Sequence, residues 1–171
     1  MELSTLRTFP VLRTLTNAEL ADLFGAAREL HFPPGTVVCH EGAQETDLYF
    51  LVLGRLEVAK KNQNGTSLII TQLHSGAIFG ELSWILGTPR GATLTAREET
   101  FVIRLDGPTL TRQVEERSPG AHKFNMALLR LLASRLAQMN EQILELQSRP
   151  EQPKKSEIER LRERMANDWT F

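Results

Sequence analysis

The chain has 171 residues, 41% of them hydrophobic and 24% charged, which fits one globular domain with a modest extension and leaves little room for a second domain. Its 20 Lys and Arg against 21 Asp and Glu give a formal charge of −1, so no overall positive field draws it to nucleic acid or anionic lipid. A single cysteine, Cys39, excludes an intramolecular disulfide, no Cys/His grouping has zinc spacing, and a reducing, cytoplasmic setting fits best.

The start, MELSTLRTFP, lacks a basic stretch followed by an apolar core, and the longest apolar run, Leu48 to Leu53, is far too short to span a bilayer. A soluble protein without membrane association is expected. Thr16-Asn17-Ala18-Glu19 is a capping box that starts a helix with Leu20, Leu23, Phe24 and Ala27 on one face. From His31 onward short β-prone runs are punctuated by Pro33-Pro34-Gly35, Gly42, Gly54, Asn64-Gly65, Gly76, Gly80, Gly87 and Gly91, the texture of a small all-β sandwich or barrel. Strands are expected over Val37 to His40, Asp47 to Leu53, Leu56 to Lys60 and Ser67 to Leu73, with a hairpin turn at Asn64-Gly65. Two more follow Gly91. In the second, Phe101, Ile103 and Leu105 alternate with Val102 and Arg104, which predicts one buried face. Asp106-Gly107-Pro108 closes the β region, and helix resumes from Thr109 to Glu116.

The longest predicted helix runs from Ser118-Pro119 to Ser148. Leu129, Leu132, Leu136, Met139, Ile143 and Leu146 stand alternately three and four residues apart, a heptad seam that wants a partner helix. Such a stripe could instead pack on the chain's own barrel. A helix of this length reaches roughly 45 Å, more than a small domain covers, so its second half is expected to project and to pair with a second copy through residues 129–146. Pro150 and Pro153 end it, and Ser156 and Glu159 cap one further candidate helix in a charged tail that ends on Trp169 and Phe171.

The chemistry concentrates in GAIFGELSWILGTPRGATLTA, Gly76 to Ala96. Gly80 and Gly87 bracket a short helical segment whose first-turn amides attract an anion. Pro89 delivers Arg90 to the same neighbourhood, and Gly91 lets a ligand approach the amides of Gly91 and Ala92. Glu81 would repel an anion unless it accepts a hydrogen bond from a hydroxyl on the same ligand, or neutralises Arg90 in an empty site. A phosphate beside a sugar hydroxyl meets both demands.

Phe79-Gly80-Glu81-Leu82-Ser83 and Gly87-Thr88-Pro89-Arg90-Gly91-Ala92-Thr93 resemble the phosphate-binding cassette of the cyclic nucleotide-binding domain family. The resemblance extends upstream through Phe32-Pro33-Pro34-Gly35, Glu41-Gly42 and Asp47 to Gly54, covering roughly residues 10–117. It implies an α+β fold, mainly β: a jelly-roll barrel with flanking helices, then a long C-terminal helix similar to the dimerising helix of catabolite activator proteins. Residues 1–117 would form the nucleotide domain, 118–148 the helix and 149–171 the tail. Glu81 would accept from the ribose 2′-hydroxyl and Arg90 would pair with the cyclic phosphate. The amides of Leu82, Ser83, Gly91 and Ala92 would complete the cradle.

Gly91 lacks the hydroxyl that often follows the arginine in members preferring cyclic GMP, so cyclic AMP is the favoured ligand, with cyclic GMP the alternative. Met139 and Asn140 fall near the family's base-capping position, although Met139 also belongs to the seam. His31, His40, His74, His122 and Cys39 share no ligand spacing, so no metal is expected. No nucleophile motif, Walker loop or catalytic carboxylate pair points to an enzyme. Residues 151–171 are too few and too mixed in charge for a DNA-reading helix pair. The expectation is a cyclic nucleotide receptor signalling to a separate effector protein, the alternative a dimeric scaffold without a nucleotide duty.

Overall fold

The computed structural model describes residues 2–147; the tail with its candidate helix, Trp169 and Phe171 lies outside them. Three short helical pieces come first: α1 (Leu3–Leu6), a 3-10 turn (Pro10–Leu12) and α2 (Asn17–Leu23). The capping box forms as expected, with Thr16 Oγ1 accepting from the Glu19 amide at 3.3 Å and the Glu19 carboxylate from the Thr16 amide at 2.8 Å.

Eight strands follow, β1 (Arg28–Phe32), β2 (Val37–Cys39), β3 (Leu48–Leu53), β4 (Arg55–Lys61), β5 (Ser67–His74), β6 (Ile78–Phe79), β7 (Thr93–Ala96) and β8 (Thr100–Leu105). They form two antiparallel sheets in the orders β1-β8-β3-β6 and β2-β7-β4-β5. The turn between β4 and β5 is closed by Asn62, whose side chain accepts from the amides of Asn64 and Thr66. Helix α3 (Glu81–Leu86) interrupts the strands, and α4 (Gly107–Glu115) and α5 (Pro119–Gln147) complete the described chain. Asp106 caps α4 by accepting from the Thr109 amide, which holds its carboxyl below the usual range.

Two cores lie on opposite faces of the first sheet. On its outer face Leu48, Phe50, Ile103 and Leu105 pack with Leu12, Leu20, Phe24, Phe124 and Leu128 of the helices. Phe50 is the hub, with Phe9 and Phe24 edge-on at 5.1 and 5.2 Å and Phe124 at 5.9 Å between ring centroids. On the inner face Tyr49, Leu51 and Val102 meet Leu56, Val58, Leu73, Leu94 and Ala96 of the second sheet across the barrel interior. This sandwiching corrects one expectation: β8 has two buried faces. Its sheet has the helices on one side and the second sheet on the other, so Ile103 and Leu105 face the helices while Val102 faces the barrel at 1% exposure; Phe101, at one end of the strand, is 42% exposed. Strands β1 and β6 were not foreseen, because the first carries mainly polar residues and the second has only two.

Candidate functional site

The segment that closes the barrel is built around Gly80, which links β6 to α3. Its φ is 87°, and a Cβ there would lie 2.4 Å from Arg90 Nη1 and 2.5 Å from the Asp47 carbonyl oxygen, so glycine is required both by the backbone conformation and by the close approach of the arginine. On either side the segment is anchored by aromatic residues. Phe79 stacks on Tyr49 of β3 at 4.9 Å, and the Trp84 indole donates to Thr111 Oγ1 of α4 at 2.9 Å. The amides of Glu81, Leu82 and Ser83 belong to the first turn of α3 and have no preceding helical carbonyl to bond.

Arg90 is 4% exposed. Its Nη2 donates to the Asp47 carbonyl at 2.8 Å and its Nη1 to the Gly80 carbonyl at 3.3 Å, and the guanidinium lies 5.4 Å from the Tyr49 ring centre. Among the described residues its ion pair is with half-exposed Glu45 at 3.8 Å. The backbone is pinned as well: Gly42 donates to the Arg90 carbonyl at 2.8 Å, Arg90 donates to Ala43 at 2.9 Å, and the Glu41 amide donates to Thr93 Oγ1. Glu41-Gly42 therefore braces the backbone around the arginine. A cation held by carbonyl dipoles and one distant carboxylate is poised for a stronger anion. Gly91, exposed, and Ala92, half-buried, continue from it into β7.

Glu81 is 3% exposed. Its Oε1 accepts from Nη1 of Arg135 at 3.5 Å, a residue of α5 that is itself 8% exposed. Burial pushes the Glu81 carboxyl upward, against the opposing pull of its own backbone amide and of Arg135 and Arg90. Burial also lowers Arg135, which Glu81 counteracts. Glu81 thus ties the cassette to the long helix.

Phe79, Gly80, Glu81, Ser83 and Arg90 are gathered around this point, with Ser83 buried and the Leu82 side chain 53% exposed. Asn140 is exposed on α5, beyond Arg135, as is Met139 at 42%. Sequence reasoning missed Arg135, Asp47 and Tyr49. Asp47 also accepts from the Gly107 amide at 3.0 Å and pairs with Arg104 at 2.7 Å; a lone acid before a hydrophobic strand gave no signal for this. Cys39 is buried, its thiol pushed up to about 11 by burial. Among the described residues no group of three or more His, Cys, Asp or Glu could hold a metal, and no helix is long and apolar enough to cross a membrane.

The cyclic nucleotide-binding domain profile matches residues 29–117. A cAMP-dependent protein kinase regulatory subunit of Pyricularia oryzae is 34% identical over 100 residues, covering 58% of this chain and 25% of that protein. A CRP-like cAMP-activated global transcriptional regulator of Mycobacterium tuberculosis is 27% identical over 127 residues, 74% of this chain and 55% of that one. The chain thus spans between a quarter and just over half of these relatives. The crystal structure of a cyclic nucleotide-binding domain from Methylobacillus flagellatus superposes with a TM-score of 0.73 at 23% identity, covering 87% of this chain and 86% of that one, and so supports the fold. With a match across residues 29–117 and the cassette geometry in place, the chain belongs to the cyclic nucleotide-binding domain family.

Proposed function

We propose that the chain is a cyclic nucleotide receptor, not an enzyme, with cyclic AMP as its favoured ligand. The observation that carries this is Arg90, a buried guanidinium held by two backbone carbonyls and only a distant carboxylate, beside the buried carboxylate Glu81. A cyclic phosphate would pair with the Arg90 fork and accept from the amides of Leu82, Ser83, Gly91 and Ala92. The ribose 2′-hydroxyl would donate to Glu81. Cyclic AMP is favoured over cyclic GMP because Gly91 carries no hydroxyl, and because the named relatives include cAMP-dependent and cAMP-activated proteins.

Signalling follows from the Glu81–Arg135 contact. A ligand that draws on the Glu81 carboxylate changes the hold on α5, and the ligand shifts the helix population by its preference for one arrangement. Residues 129–146 of α5 would pair with a second copy: Leu129, Leu136, Met139 and Ile143 are 44%, 60%, 42% and 49% exposed, a stripe of the right period. Asn140 would cap the base from this helix, and an effector protein in the cytoplasm would read the rearranged surface.

Isothermal titration of wild type and Arg90→Ala with cyclic AMP and cyclic GMP tests this. Loss of a charge-assisted phosphate contact should weaken binding by about 10- to 100-fold. Equal affinities would overturn the assignment of Arg90, and absence of heat from the wild type at millimolar ligand would favour the dimeric scaffold.

A further inference from the structure

We propose that Glu45 is a built-in competitor of the ligand: its carboxylate faces the open edge of Arg90 and has to give way to the phosphate, so that it sets the affinity of the site; this rests on the receptor function proposed above. The guanidinium Nη1 and Nη2 donate to the carbonyls of Gly80 and Asp47. Nε is different: it is buried and has no hydrogen-bond partner. An unpaired buried donor is costly, the more so on a charged group, so this edge is the one left for an incoming acceptor. Among the described residues the anion within ion-pair reach of it is Glu45, whose Oε2 lies 3.8 Å from Nε, too far for a hydrogen bond.

The loop that carries Glu45 is wrapped on the arginine itself. Two residues before Glu45 the Ala43 carbonyl accepts from the Arg90 amide at 2.9 Å, and two residues after it the Asp47 carbonyl accepts from Nη2 at 2.8 Å. The backbone of Glu45 is therefore held beside the guanidinium from both directions. Its side chain is not: it is 50% exposed, and among the described residues its one ion pair is with Arg90. Such a carboxylate lends the fold little, because solvent and side-chain entropy offset an exposed pair at this distance. To a second anion it matters more. A phosphate that reaches Nε brings another negative charge to a single cation, and the two anions repel. Arg90 is fixed at 4% exposure, whereas Glu45 has a flexible stem and open solvent to turn into, so the carboxylate is the group that moves. The net affinity is then the pairing of the phosphate with Arg90 less that of Glu45.

The test compares wild type, Glu45→Gln and Glu45→Ala by isothermal titration with cyclic AMP and cyclic GMP in low salt and in 1 M sodium chloride, with the melting temperature of each protein without nucleotide measured alongside. Both variants should bind the preferred nucleotide about 3- to 10-fold more tightly than wild type in low salt. Alanine should gain as glutamine does, since the gain comes from a lost charge and not from a new hydrogen bond to the ligand. In 1 M salt, where the screening length falls to about 3 Å, the variants and wild type should converge, and the melting temperatures should agree within about 2 °C throughout. Affinities unchanged or weakened in both variants, a gain confined to glutamine, a gain undiminished by salt, or a melting temperature lowered by several degrees would overturn the role of Glu45 while leaving the receptor function intact. Wild type and variants that all bind neither nucleotide would overturn both.

Discussion

The two halves of α5 obey different rules. In the first, Ala121, Phe124 and Leu128 are each 0% exposed, packed on the hub of Phe50 and on the opening helices, and Lys123 is paired with Glu19 at 2.8 Å. In the second, Leu136, Met139, Ile143 and Leu144 are 60%, 42%, 49% and 64% exposed. The boundary falls at Arg135, the residue that reaches Glu81. One continuous helix is therefore packed into the helical core where it begins and carries exposed apolar side chains where it ends, and the changeover coincides with its contact to the cassette. Helix period alone cannot reveal this, since the apolar spacing runs unbroken through both halves.

The sharpest way to break this contrast is Phe124→Ala. Truncating a fully buried aromatic in the helical core should cost about 3–5 kcal/mol in urea unfolding; a loss under 1 kcal/mol would mean that the first half is not the anchored one. Next comes Arg135→Ala, which leaves Glu81 buried without its cationic partner and should cost about 1–3 kcal/mol at neutral pH. That deficit should shrink on acidification. Because the folded pKa of Glu81 is raised, the folded chain holds this proton more tightly than the unfolded one. Its contribution to stability is therefore full below the ordinary carboxylate pKa and is lost as pH rises through the raised value. A deficit that grows toward pH 5 would contradict this.

Ligand affinity should move the opposite way. A protonated Glu81 is a poorer acceptor for the ribose hydroxyl, so titrations should show weaker cyclic AMP binding as pH falls through that raised value, beginning above the usual carboxylate range. A flat affinity between pH 7.5 and pH 5 would separate Glu81 from the ligand. The smallest effect on the fold belongs to the second half: Leu136→Asp with Ile143→Asp should change the stability of the dilute monomer by no more than about 0.5 kcal/mol, yet light scattering should show the mass fall from dimer to monomer. A monomeric mass for wild type and variant alike would remove the pairing role of the seam.

Local chemistry made most of the architecture legible. The Thr16–Glu19 box, the Asn64-Gly65 turn and the glycines flanking α3 each dictate backbone shape within a few residues, and the structure has all of them. What stayed hidden depends on distant partners. The second buried face of β8 exists because the second sheet and the helices, both distant in the chain, cover its sheet from opposite sides. Glu81 and Arg90 were identifiable as types, but the partner of Glu81 lies 54 residues on, in a helix whose sequence advertises only its seam.

Asp47 has a consequence of its own. Through its carbonyl it holds Arg90, and through its carboxylate it holds both Arg104 and the first amide of α4. The arm of Arg90 and the start of α4 are thus fastened to a single residue. In the function proposed above, a ligand that draws on the guanidinium would pull on the same residue that holds the first turn of the C-terminal helices.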